Sequence, residues 1–387
     1  MKALIYYQRT RVFYNRFTKW LTGVSYLPSV ATRKPLFYSF IVFCLSLNSY
    51  AWASNDRLPV IDSGNGGSRL YALENVIGST AEVTVRSDDT LHLIASRTGH
   101  GLAEMILANP DVDPWLPEPG TQVKIPSRYV LPQALRAGLP ADRSQVDQSQ
   151  HADAAASAVV VNLPEMRLYL TEGDKVTTYP VSIGKSNFPT PMMETTVTAK
   201  AKDPHWQPPT SLINAALERG EKLAPLYLAG PDNPLGRHAL RLGNSPYLIH
   251  GTNRPLGLGL RVSHGCIRMY PLHVEDLYSR LDVGDHVQVV NEPVKVSWLN
   301  GELLMEIHPP LQEFALDESS LMSLAMDLAF AELLNKPGSV SSYLASNLET
   351  DNVDTFNPKL AWIDDAAVAK AVAQKDGVPV VIASEAF

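Results

Sequence analysis

Two stretches decide the reading: Tyr247-Leu248-Ile249-His250-Gly251-Thr252-Asn253 and, after a Gly-rich connection, Val262-Ser263-His264-Gly265-Cys266-Ile267-Arg268-Met269. Two histidines bracket one cysteine. A thiolate attacks a carbonyl far better than a thiol does, so a nucleophilic cysteine needs a base or a positive field beside it. Either histidine can serve. Side chains alternate along extended chain, so a strand puts His264 and Cys266 on one face, while a hairpin brings His250 opposite them. Gly265 lets the backbone come close to a substrate and point amides at a developing oxyanion. Two readings compete with this one. A zinc site of Cys266, His264 and His250 lacks the paired Cys or His at short spacing that structural zinc sites show. A cysteine that is only structural leaves unexplained why these residue types cluster.

Outward from these stretches, residues 159 to 292 read mostly as strand. Val159 to Leu163, Arg167 to Leu170, Thr177 to Ile183 and Thr195 to Ala199 are apolar or β-branched runs separated by turn residues, which predicts a mainly β domain built from hairpins. Residues 293 to 387 form an extension with a strand pair around Asn300-Gly301, then helical patterns. One such face carries Leu321, Leu324, Ala325 and Leu328 after Asp317-Glu318-Ser319. This tail is expected to pack on its neighbours rather than carry chemistry.

On the amino-terminal side, residues 81 to 127 predict a small βααβ unit. Ala81 to Arg86 alternates as a strand, Asp88-Asp89-Thr90 can cap a helix through Leu91, Ile94 and Ala95, a second helix runs through Leu102 and Met105, and Thr121 to Pro126 closes with a strand. Residues 132 to 158 are polar and Ala-rich, the composition of a flexible linker. Residues 1 to 53 hold seven basic and no acidic residues, an apolar run from Leu36 to Leu47, and Ala51-Trp52-Ala53, the small-x-small form of a signal-peptidase site. Export to the periplasm with cleavage after Ala53 is expected. Removing those seven from the 33 basic residues leaves 26 against 40 acidic ones, a balance of −14 that argues against nucleic acid as a partner. Cys44 departs with the leader. Cys266 is then the lone thiol, unable to form an internal disulfide.

His250-Gly251 followed by Ser263-His264-Gly265-Cys266-Ile267-Arg268 resembles the signature of the YkuD-type L,D-transpeptidases of bacterial peptidoglycan. Asn162 to Tyr169, Trp206-Gln207-Pro208-Pro209 and Ala229 to Gly236 resemble the Gram-negative branch of that family. Asp89-Thr90-Leu91, Ala108-Asn109-Pro110 and Gly120 to Pro126 resemble a LysM module, which holds N-acetylglucosamine-containing glycans. Departures are Asp88 and Met193, where these families often have glycine, and a longer linker.

The resemblance implies a YkuD-like β-sandwich with Cys266 as nucleophile and His250 as general base, the imidazole oriented by the Gly251 carbonyl and supported by His264. Amides around Gly265 and Cys266 would form an oxyanion hole. Arg268 would hold a substrate carboxylate, with Ser263, Trp206 and Asn253 as further substrate contacts and the Trp206 segment as a lid. No metal or organic cofactor is required. The implied donor is the diaminopimelate–D-alanine bond of tetrapeptide stems, and the implied acceptor is the terminal lysine of Braun's lipoprotein, with stem-to-stem cross-linking close behind. Hydrolysis by a carboxypeptidase or endopeptidase, and a non-catalytic glycan-binding scaffold, are the alternatives. Carbapenems would acylate Cys266.

Overall fold

The computed structural model describes residues 75–137, 158–173, 175–335 and 362–384. The expected leader and residues 138–157 of the expected linker lie outside the described residues. The first described unit contains β1 (Val76–Gly78), β2 (Ala81–Thr84), α1 (Leu91–Thr98), α2 (Leu102–Ala108), β3 (Gln122–Ile125) and β4 (Arg128–Val130). β2 and β3 pair antiparallel, so strand, helix, helix and strand close one layer around Val85, Leu91, Ile94, Leu102, Met105, Val123 and Ile125. Thr90 starts α1 by accepting a hydrogen bond from the Leu93 amide at 3.1 Å, which satisfies one of the free donors at a helix start. Asn109 ties α2 to β3 through its side chain, donating to the Met105 and Lys124 carbonyls and accepting from the Lys124 amide.

The unit does not end in loose chain. The start of the expected linker forms α3 (Gln133–Ala137), whose Gln133 and Ala134 amides are held by the Glu292 carboxylate at 2.6 and 2.9 Å. Composition hid this helix, because the partner that fixes it stands far along the chain.

The central domain contains β5 (Ala158–Asn162), β6 (Arg167–Glu172), β7 (Lys175–Pro180), β8 (Ile183–Gly184), β9 (Met193–Lys202), α4 (Thr210–Glu218), β10 (His238–Leu242), β11 (Leu248–His250), β12 (Arg261–Ser263), β13 (Ile267–Arg268), α5 (Pro271–Arg280) and β14 (His286–Val290). Eight strands form one sheet in the order β13-β11-β10-β9-β14-β5-β6-β7. Its two ends meet, because Ser182 just after β7 exchanges backbone hydrogen bonds of 2.9 Å with Arg268 in β13. The expected sandwich is therefore one sheet curled onto itself rather than two separate sheets. Inside the curl, Val161, Leu168, Leu170, Val197, Leu240, Ile249, Ile267 and Val289 pack with Val274 and Leu277 of α5. Met193, the departure from glycine, opens β9 opposite Val289 and packs on this core.

On the outside of the curl, Val160, Tyr169 and Val176 are covered by Ile77, Tyr129, Leu131 and Leu135 from the amino-terminal unit. The carboxy-terminal part contains β15 (Val294–Leu299), β16 (Glu302–Ile307), α6 (Glu318–Asn335), α7 (Asp365–Gln374) and β17 (Val380–Ser384). The hairpin turns at Asn300-Gly301, and β17 pairs with the free edge of β16. Leu321, Ala325 and Ala329 of α6 and Val368 and Val372 of α7 cover this sheet.

All three parts meet at buried Lys295. Its ammonium lies 2.6 Å from Glu165 and 2.8 Å from Glu306, and Glu306 also accepts the Val130 amide of β4 and approaches His308 at 2.6 Å. Among the described residues, no helix is long and apolar enough to cross a membrane.

Candidate active site

β11 and β13 run side by side in parallel, with Ile249 opposite Ile267 and His250 opposite Arg268. Just before this pair, the Leu248 backbone hydrogen-bonds to Cys266. In a pleated pair, alternate residues share a face, so Ile249 and Ile267 enter the core while His250, Cys266 and Arg268 lie together on the other side. Extended chain alone could not distinguish His250 from His264 as the partner of the thiol. The parallel register puts His250 on the cysteine's face, one pleat along.

His250 is 3% exposed, and its Nδ1 lies 2.6 Å from the Gly251 carbonyl. A carbonyl can only accept, so the proton resides on Nδ1 and Nε2 keeps its lone pair. Burial pushes the imidazole pKa down to about 3, with Arg268 acting in the same direction and the Gly251 and Leu235 carbonyls opposing. The ring is neutral at physiological pH. Burial raises the Cys266 thiol, against a backbone hydrogen bond with Leu248 and the Arg268 charge. At rest the thiol and the imidazole are thus both neutral.

The turn that carries the cysteine is fixed from below. Gly265 has φ +101°, and a side chain there would meet the Tyr247 ring at 2.5 Å, so both backbone and space require glycine. Buried Thr190 donates to the Gly265 carbonyl at 2.9 Å and accepts from the Gly184 amide at 2.9 Å. Ser263, expected as a substrate contact, is 1% exposed. Its hydroxyl donates to the Cys266 carbonyl and accepts from the Gly265 amide at 3.2 Å, so it holds the turn from a buried position.

His264 is half-buried and stacks on Phe188 at 4.5 Å between centroids. Burial and the Lys185, Arg268 and Arg219 charges push its pKa down. Arg268 in turn feels Arg254, and its Nε is buried without a partner. Arg268 thus acts on Cys266 itself, while Lys185 and Arg219 act on its neighbour His264. Trp206 pairs with Tyr227 through two backbone bonds of 2.8 Å and a ring contact of 5.3 Å, closing the base of the excursion that carries α4 and Arg219. Asn253 is half-buried, at the start of the loop after Gly251.

Sequence reasoning missed Thr190, Ser182 and Lys185, which reach the site from positions distant in sequence: Thr190 by its hydroxyl, Ser182 by its backbone, and Lys185 by its amide and its charge. Among the described residues, Glu165, Glu306 and His308 are the group whose ligand atoms lie close enough for a metal, within 4.8 Å. The Lys295 ammonium already fills that position.

The family description "YkuD: L,D-transpeptidase catalytic domain" matches residues 156–294. The chain is 32% identical over 324 residues to the probable L,D-transpeptidase YcfS of Escherichia coli, covering 81% of this chain and 86% of that protein. It belongs to the L,D-transpeptidases. This transpeptidase is also 37% identical over 251 residues to the probable L,D-transpeptidase ErfK/SrfK of Escherichia coli, covering 63% of this chain and 72% of the relative. Among solved structures, an L,D-transpeptidase from Mycobacterium smegmatis shares 25% identity with a TM-score of 0.29, over 35% of this chain and 58% of that one. This transpeptidase thus spans under two thirds of that mycobacterial structure.

Proposed function

We propose that this transpeptidase is an exported, periplasmic cell-wall enzyme that cleaves the diaminopimelate–D-alanine bond of tetrapeptide stems and passes the acyl group to an amine. The single observation that carries the reading is the parallel register that sets a neutral His250, with Nε2 free, on the face of Cys266. As Sγ attacks the carbonyl carbon, its proton passes to His250 Nε2, and the oxygen takes up negative charge beside the Cys266 amide, the Gly265 amide being held by Ser263. Collapse breaks the C–N bond, His250 returns the proton to the leaving D-alanine amine, and a thioester remains. An incoming amine gives a proton to His250, forms the new amide and expels the thiol, which recovers that proton.

Arg268, with its free Nε and the cationic field around it, suits the carboxylates of the donor stem. The βααβ unit is read as a LysM module that holds glycan strands, a reading supported by its element order and by Trp115 and Leu116, both exposed in the loop after α2. The acceptor proposed is the lysine amine of Braun's lipoprotein, and carbapenems are proposed to acylate Cys266 as substrate-like carbonyl compounds.

The test is mass spectrometry of products from tetrapeptide muropeptides and a Lys-terminated lipoprotein peptide, with Cys266→Ala as control. Cys266-dependent D-alanine release with a peptide-linked product supports the reading. Stem dimers alone redirect it to cross-linking, and D-alanine release with water as acceptor redirects it to a carboxypeptidase. Release that survives Cys266→Ala sinks it.

A further inference from the structure

The loop from Gly251 to Arg261 joins the strand of His250 to the strand that leads into Cys266, and its far side is built by the amino-terminal unit. The Leu102 and Ala103 amides at the start of α2 donate to the Leu258 and Gly259 carbonyls at 3.0 and 3.3 Å. Gly101 and Gly259 meet backbone to backbone. A Cβ on Gly259 would stand 2.3 Å from the Gly101 Cα, and one on Gly101 would stand 2.9 Å from the Gly259 Cα.

Beneath this contact, Glu104 accepts both a Gly101 amide bond at 3.0 Å and the Arg167 guanidinium of β6 at 2.6 and 2.9 Å. Arg167 is 1% exposed and lies 4.2 Å over the Tyr129 ring, and the Tyr129 hydroxyl donates to Glu104 at 2.6 Å. Tyr270, two residues beyond Arg268, donates to the His100 carbonyl at 3.3 Å. A short relay completes the path. Ser182 Oγ accepts from the Gly259 and Leu260 amides at 3.0 and 3.3 Å and donates to the Gly257 carbonyl, while its backbone pairs with Arg268, two residues from the nucleophile.

From these contacts we infer that the amino-terminal unit is a fixed part of the catalytic machinery, with Gly101 as a positioning residue that sets the 251–261 loop through Gly259. The inference rests on the reading of Cys266 as nucleophile. It departs from the tethered picture that the linker composition predicts, in which the unit only concentrates the enzyme on the wall. Catalysis depends on geometry held within fractions of an ångström, and a displacement of about 1 Å can cost on the order of a hundredfold in rate. Gly101 has φ −85°, which any residue adopts, so a methyl group added there disturbs the contact with Gly259 without straining its own backbone.

The experiment uses the whole protein and a disaccharide-tetrapeptide muropeptide, too short to need anchoring on a glycan strand. Gly101→Ala is expected to lower kcat for D-alanine release about tenfold with KM nearly unchanged, to speed amide hydrogen exchange at 256–260, and to leave retention on insoluble peptidoglycan at the wild-type level. Glu104→Gln keeps the shape and the Tyr129 contact, removes the charge from Arg167, and is expected to act in the same direction. Should Gly101→Ala fail to fold, the Gln variant decides alone. Wild-type kcat in the folded variants, or loss only of peptidoglycan retention, overturns the positioning role. Activity that persists in Cys266→Ala overturns the nucleophile reading instead, so the two failures are distinguishable.

Discussion

Mild acid should destabilise this fold through three histidines that are buried neutral. Burial pushes His100 and His273 down to about 4 and His250 to about 3, and they are 1%, 4% and 3% exposed. In the unfolded chain each takes a proton near its ordinary pKa of about 6.5. A folded pKa below the unfolded one means that the unfolded state binds more protons, so stability is intact above about 6.5 and falls as pH drops towards the folded value. Between pH 7 and pH 5 each histidine then costs about 2 kcal/mol, and the three together roughly 5 to 6 kcal/mol, a large part of the ~5–15 kcal/mol that holds an ordinary domain folded.

Urea unfolding followed by far-UV circular dichroism at the two pH values reads this directly. The midpoint should fall by about 2 M if m is roughly 3 kcal/mol/M. His273 packs between the Tyr270 and Tyr179 rings, at 5.3 and 5.6 Å, with its Nδ1 unpartnered, so His273→Phe should retain the packing and remove about a third of the difference. A midpoint equal at both pH values, or a His273→Phe variant with the full wild-type difference, would refute the reasoning.

Thr190→Val keeps the side-chain shape but strands the Gly265 carbonyl and the Gly184 amide, so it should cost about 2–4 kcal/mol of stability in urea titration and depress kcat more than KM. Lys295→Met leaves Glu165 and Glu306 buried without their cation and should destabilise by about 3–5 kcal/mol by the same titration. Because His250 is neutral down to about pH 3 and the Cys266 thiol is raised, kcat/KM should show no inflection near 6.5 across a range in which the protein is folded, as a stopped-time D-alanine assay would reveal.

The family was legible because its signature sits in contiguous residues: His250-Gly251 and Ser263 to Arg268 carry their spacing with them. The hairpin at Asn300-Gly301 and the strands of β5 and β6 were legible for the same reason, as local turn chemistry and alternation suffice. What escaped was set by distant partners. Gln133 to Ala137 looked like linker because the carboxylate that caps it belongs to Glu292, and β17 needed the edge of β16 to become a strand. Ser263 looked free to bind substrate, since nothing in the sequence says that the turn of Gly265 and Cys266 takes up its hydroxyl. The placing of His250 beside Arg268 came from the parallel pairing of β11 with β13, which links residues across a loop.

The layer of Ile77, Tyr129, Leu131 and Leu135 against Val160, Tyr169 and Val176 runs along the boundary where the sequence suggests one domain ends and the next begins. A gene cut there would give two sticky halves, each with a raw apolar wall, where independent cassettes would need polar skins. Shuffling in evolution must therefore carry both sides together, and a lineage that exchanged its amino-terminal half would also have to re-cut the wall to match.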